Sequence, residues 1–167
     1  MFRNFNGFCL FISVERGYML FMISMGVSVL IGKNLDWWEA ICLGVITFCG
    51  WSGTDAINNI FDIELDRESD PLRAEFTGKL GRWGILISLF FLAASLGLGL
   101  STGIPLVTFF ILLGIFVGIL YSMPPFRLRQ TMYKPLVNTA VGAIPVLITS
   151  AFHDVFTLET YTLALLI

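Results

Sequence analysis

Hydrophobic positions along the chain fall into long uncharged runs separated by short charged segments. Arg16 and Lys33 bracket 16 uncharged residues, 17–32, and flanking residues extend this run to a first span over 17–33. A second run follows Asp36-Trp37-Trp38-Glu39 and ends in a polar segment at Asp55, which predicts a helix over 37–61. Paired tryptophans at its start suit a membrane–water boundary. Residues 83–126 include no charge over 44 positions. At about 20 residues per crossing this is two spans, not one. The turn formers Ser101-Thr102-Gly103-Ile104-Pro105 divide it into 83–101 and 104–123. A fifth span covers 135–152, and a sixth apolar stretch starts at 158. Eight residues follow Glu159, too few to cross a bilayer. The segment 67–82 reads as a polar loop, with Asp70-Pro71 as a helix stop. Near the start, Phe8-Cys9-Leu10-Phe11-Ile12 is a short apolar run that Glu15-Arg16 interrupts. It reads as an interfacial lead-in, not a signal peptide.

Composition turns these runs into a class. Of 167 residues, 56% are hydrophobic and 13% charged, which is unsuited to a soluble domain of this size. The chain reads as all-α: one polytopic transmembrane helix bundle over 1–167, with five spans plus the start of a sixth. Cys9, Cys42 and Cys49 lack metal-site spacing and read as packing residues. His153, in a turn, reads as a surface residue. If the spans alternate, Arg3, Arg16, Arg67, Arg73, Lys79, Arg82, Arg127, Arg129 and Lys134 share one side, and Lys33 stands alone on the other. That bias places the N-terminus in the cytoplasm and the protein in the cell membrane. No nucleic-acid partner is expected.

The candidate chemistry sits at the inner end of the second span, in Asp55-Ala56-Ile57-Asn58-Asn59-Ile60-Phe61-Asp62-Ile63-Glu64-Leu65-Asp66. At about 100° per residue, Asp55, Asn58, Asn59, Asp62 and Asp66 share one face. Three carboxylates on one stripe repel unless something positive sits on them. A solvated acidic helix end is the plainer reading. Oxygen donors without His or Cys suit a hard cation, and Mg²⁺ is the usual choice where a phosphate completes the shell. The basic segments on the same side complete the pattern, since acids opposed by arginines and lysines suit an anion between them. A diphosphate fits: Mg²⁺ on Asp62 and Asp66 bridging to its oxygens, cations neutralising the rest, and an isoprenoid chain lying in the bundle. Phe61, Trp83, Tyr121 and Phe126 are aromatics that suit a developing carbocation or simple packing.

These residues resemble a family. Asn58-Asn59-Ile60-Phe61-Asp62-Ile63-Glu64-Leu65-Asp66 is similar to the first Asp-rich motif, N-D-x-x-D-x-x-x-D, of the UbiA family of intramembrane prenyltransferases. Pro71-Leu72-Arg73 with Thr77-Gly78-Lys79 resembles the loop that follows it. Tyr121-Ser122-Met123-Pro124-Pro125-Phe126-Arg127-Leu128-Arg129 resembles the Y-S-x-P-P-x-R-[LF]-[KR] loop of the family's branch with archaeal lipid and chlorophyll synthases, and Asn138 with Gly142 fits the next helix. The resemblance implies the first half of a nine-helix bundle and a Mg²⁺-dependent transfer of a prenyl group. The donor would be an allylic polyprenyl diphosphate and the acceptor a lipid or aromatic compound. By the same resemblance Asn58, Asp62 and Asp66 would hold Mg²⁺. Asn58, Arg73, Lys79, Arg127 and Arg129 would contact the diphosphate, and Asp62, Asp66 and Tyr121 would be catalytic.

The departures from the family pattern set further expectations. Asn59 stands where the family usually has Asp, and Asp55, one turn earlier, is expected to restore part of that charge. Ala74-Glu75-Phe76 replaces a proline-rich stretch. The second Asp-rich motif is absent. A truncated reading frame, a fragment that pairs with a separately encoded C-terminal half, and a remnant that binds lipid or a partner without catalysis are the alternatives. A CDP-alcohol phosphotransferase is set aside, because its D-G-x-x-A-R element is missing.

Overall fold

The second span is the hub of the bundle, because small residues on three of its faces let neighbouring helices approach closely. The computed structural model describes residues 2–33 and 36–166. Its elements are α1 (Phe2–Phe11), α2 (Val14–Ile31), α3 (Trp37–Phe61), α4 (Ile63–Ser69), α5 (Pro71–Leu80), α6 (Arg82–Ser101), α7 (Pro105–Ser122), α8 (Lys134–His153) and α9 (Leu158–Leu166), with a 3₁₀ turn at Leu128–Gln130. No strand occurs among the described residues. Among the described residues five helices, α2, α3, α6, α7 and α8, are long and apolar enough to cross a membrane. Helix α9 packs against α8.

Lipid removes the hydrophobic drive between spans, so small residues and interhelical hydrogen bonds take over. Gly44 of α3 faces the Phe21 ring of α2, Gly53 faces Leu92 of α6, and Thr54 faces Gly118 of α7. The Ser95 hydroxyl donates to the Ile46 carbonyl at 2.8 Å, joining α6 to α3. Leu43, Ile46, Val107, Ile111, Ile148 and Ala151 form the core shared by α3, α7 and α8. Outward, Leu86, Phe90, Phe109 and Phe116 are exposed, as lipid-facing positions should be.

Two local expectations are corrected. The stripe is not one unbroken helix: α3 stops at Phe61, Asp62 lies outside helical geometry (φ −101°, ψ 8°), and α4 restarts at Ile63. The segment 67–82 is largely helical, not a loop. Asp70-Pro71 stops α4 and also starts α5: the Asp70 carboxylate accepts from the Arg73 N–H at 3.2 Å, and Pro71 occupies the first turn, where its missing N–H costs nothing. The lead-in segment is α1, whose Phe11 is buried with Ile12 and Ala56 against Phe76 and Leu80. Thus α1, α4, α5 and the 123–133 turn gather at one end of the bundle. At the other end, His153 is half-buried and meets the Ser28 hydroxyl at 2.7 Å, joining α8 to α2.

One tight helix approach yields a prediction. A Cβ on Gly53 would lie 2.6 Å from Leu92 Cδ2 and 2.9 Å from its backbone nitrogen, whereas one on Gly97 meets nothing within 4 Å. Gly53→Val is expected to destabilise the bundle by about 2 kcal/mol. Gly97→Ala should stay within about 0.5 kcal/mol. Unfolding midpoints in detergent micelles check both.

Candidate functional site

The site is assembled where α3 ends and the stripe passes through the break at Asp62 into α4. The Asp62 side chain is almost fully buried and accepts a charge-assisted hydrogen bond from the Arg129 guanidinium. Arg129 sits on the 3₁₀ turn after α7. One turn later Asp66, also buried, pairs with Arg73 of α5 at 3.2 Å. Arg73 reaches Asp70 as well, at 3.5 Å. Acids at the end of the second span and arginines from two later segments therefore meet at one place.

Charge at this place is not balanced in full. Burial pushes the Asp66 carboxyl above its ordinary range, and Asp62 and Asp70 push the same way, while Arg73 and Arg129 pull it back. Asp62 Oδ1 and Asn58 Oδ1 are buried without a hydrogen-bond partner. Orphaned oxygens beside a carboxylate that resists ionising suit an added hard cation. Among the described residues no group of three or more His, Cys, Asp or Glu is placed to hold a metal by itself. The donor set therefore fits Mg²⁺ as a partial shell, the kind that water and phosphate oxygens complete.

One turn before Asp62, at Asn58, α3 borders a cavity of about 430 Å³. Asn58, Asp55 and Trp51 of α3, Tyr121 of α7, Lys134 and Asn138 of α8, and Arg16 of α2 line it. An apolar cleft shares Leu20, Trp51, Thr54 and Val141 with it and runs on between Ile46, Ile111, Ile115 and Ile148. A polar mouth thus leads into a greasy slot. The Trp51 indole N–H has no partner there.

The expected residues divide. Asp62, Asp66, Arg73 and Arg129 are brought together by ion pairs, and Asn58 and Tyr121 line the adjoining cavity. Arg127 follows the two prolines in a left-handed conformation (φ 40°) with its Nε buried and without a hydrogen-bond partner, a strained setting typical of functional positions. Lys79 is elsewhere: it is exposed and pairs with Glu75 at 2.5 Å. Six residues past Arg73, it points about 240° around α5. Asp55 accepts a hydrogen bond from the Ser13 hydroxyl, and Asn59 donates to the Phe11 carbonyl at 2.8 Å. Arg16, Lys134 and Trp51 were not singled out from sequence as site residues. The available signal was that Arg16 and Lys134 flank spans at the stripe's end of the bundle.

Comparison with known proteins decides the family. The UbiA prenyltransferase family profile matches residues 19–167. The chain belongs to the UbiA prenyltransferase family. Its relatives include probable homogentisate phytyltransferase 2, chloroplastic, of Oryza sativa subsp. japonica, 31% identical over 69% of this chain and 32% of the rice protein. Homogentisate phytyltransferase of Synechocystis sp. is 30% identical over 71% of this chain and 38% of its own length. The 2-acylphloroglucinol 4-prenyltransferase of Humulus lupulus is 33% identical over 63% of this chain and 27% of its own. The chain spans about a third of the length of these curated relatives. No solved structure matches significantly.

Within this UbiA chain, the Asp62–Arg129 pair makes a test. Removing the cation alone strands a buried carboxylate, whereas removing both charges does not. Arg129→Met is expected to destabilise the cation-free protein by about 2 kcal/mol, and Asp62→Asn added to it should recover most of that loss. Thermal unfolding of the single and double variants in chelator measures this.

Proposed function

We propose that this chain forms the diphosphate-gripping part of a prenyl-transfer site. Its donor is an allylic prenyl diphosphate and its acceptor an aromatic or lipid compound. The observation that supports this most is the meeting of buried Asp62 and Asp66 with Arg129 and Arg73, one helical turn beyond Asn58, which lines a cavity that continues as an apolar slot. The prenyl chain lies in the slot and the diphosphate at the ion pairs. Asn58, Asp62 and Asp66 would hold Mg²⁺, which would supply positive charge to the diphosphate leaving group. Arg73 and Arg129 then exchange part of their carboxylate contact for phosphate oxygens, and Arg127 adds a third cation. The face of Tyr121 stabilises positive charge growing at the allylic carbon. The acceptor attacks that carbon from the cavity side, the diphosphate leaves with the bonding electrons, and the acceptor loses a proton.

The site opens towards the cytoplasm of a cell membrane in this reading. The proposal includes further carboxylates from additional spans, in line with the length of the relatives, with a separately encoded C-terminal half as one source. The alternative is a non-catalytic lipid- or partner-binding role. It is favoured by one observation, that Asp62 and Asp66 each already have an arginine.

Binding separates the two. The chain in nanodiscs is titrated with radiolabelled farnesyl diphosphate and Mg²⁺. The proposed function expects binding that chelator abolishes and that Asp62→Ala weakens by about tenfold or more. Lys79→Ala, remote and exposed, should change it by less than about twofold. Binding indifferent to both chelator and Asp62→Ala would contradict the proposal.

A further inference from the structure

The stripe on α3 has two edges, and they do different work. Asn58 lies on the cavity edge. Asn59, about 100° further round the helix, lies on the other. There it is 5% exposed, and its Nδ2 donates to the carbonyl of Phe11, the last residue of α1. A helix ends with carbonyls that lack an intrahelical partner, and this one is fully buried, so an outside donor is needed. Two residues on, Ser13 takes a left-handed conformation (φ 47°) that turns the chain from α1 into α2, and its hydroxyl donates to Asp55. Two polar side chains of α3, one turn apart, therefore clasp the same elbow, Phe11 to Ser13. The elbow lies before residue 19, where the family match begins.

The clasp reaches the ion pairs through α1. Gly7 of α1 has no side chain, and a Cβ there would lie 2.5 Å from the Phe76 ring of α5. Phe76 packs with Leu80 on the buried Phe11–Ile12 cluster. One turn before Phe76, Arg73 pairs with Asp66. Holding the elbow thus holds α1, α1 seats α5, and α5 presents Arg73.

We infer that Asn59 and Asp55 are positioning residues that latch the α1–α2 elbow and so place Arg73, and that Asn59, away from the cavity that Asn58 and Asp55 line, is not part of the cation shell. Asn suits position 59 because its amide carries a donor, which an ionised Asp lacks. A carboxylate there would face the Phe11 carbonyl oxygen while buried, and would open the latch. Ser13 holds the second strut. The consequence for Arg73 rests on the prenyl-transfer reading; the latch itself does not.

The test uses the full chain in nanodiscs, with Asn59→Asp and the milder Ser13→Ala. Alkylation of Cys9 on α1 reports release of the elbow, with Cys42 and Cys49 of α3 as internal references. The latch predicts that Cys9 labels about tenfold faster in Asn59→Asp and less so in Ser13→Ala, with Cys42 and Cys49 unchanged. It also predicts that Asn59→Asp weakens farnesyl diphosphate binding by about tenfold without lowering the Mg²⁺ concentration for half-maximal binding. Unchanged Cys9 labelling in both variants would overturn it. So would a uniform rise at all three cysteines in Ser13→Ala, which marks general loosening. A lower Mg²⁺ midpoint in Asn59→Asp would overturn it too, by putting position 59 in the cation shell. Selective Cys9 labelling in a protein that binds no farnesyl diphosphate would sustain the latch and remove the prenyl-transfer reading.

Discussion

A carboxylate that is almost fully buried needs a cation, and Asp62 finds one in Arg129, 67 residues along the chain. Taking both charges out of water is costly, and their attraction repays this only with good geometry and further hydrogen bonds. Asp62 Oδ1 has none, and neither does Asn58 Oδ1. The pair is therefore a poor way to stabilise a fold and a good way to keep charge waiting for a ligand. Everything nearby depends on this. α3 breaks at Asp62, the turn after α7 bends back to bring Arg129 over it, and α5 lies where Arg73 can meet Asp66.

The bundle supplies the rigidity that such a site demands. Between α3 and its neighbours, packing depends on glycines that admit a ring or a backbone and on hydroxyls that donate to carbonyls. Both work in lipid, where apolar burial gives little preference for one neighbour over another. The same logic recurs at the polar end, where Gly7 admits Phe76 and Asn59 satisfies the Phe11 carbonyl. The site is thus carried by α3, roofed by α1 and α5, and opened towards the cavity between α2, α7 and α8.

The spans were legible because charge-free runs of this length have few other uses, and the turn at Ser101–Pro105 because Gly and Pro punctuate it. The meeting of acids and arginines was legible from side-by-side topology: alternating spans put both on one face. The helices within 67–82 were not, since their polar composition matches a loop and Asp70-Pro71 was read only as a stop, although the same pair also begins a helix. Lys79 was carried over by motif, and the local face it occupies on α5 turned it outwards. The partners of Asp55 and Asn59 lie more than forty residues away and include a backbone carbonyl, which no spacing rule identifies. Arg16 and Lys134 became site residues only once α2 and α8 proved to be neighbours.

The central claim is that the acids ending α3 and the arginines of α5 and the post-α7 turn hold one diphosphate together. A structure of the chain in lipid with farnesyl thiodiphosphate and Mn²⁺, located by its anomalous scattering, tests it most directly. The expected result places Mn²⁺ against Asn58, Asp62 and Asp66, with the diphosphate between it and Arg73 and Arg129. Mn²⁺ or diphosphate bound away from this cluster, with the Asp62–Arg129 and Asp66–Arg73 pairs unchanged, would contradict it.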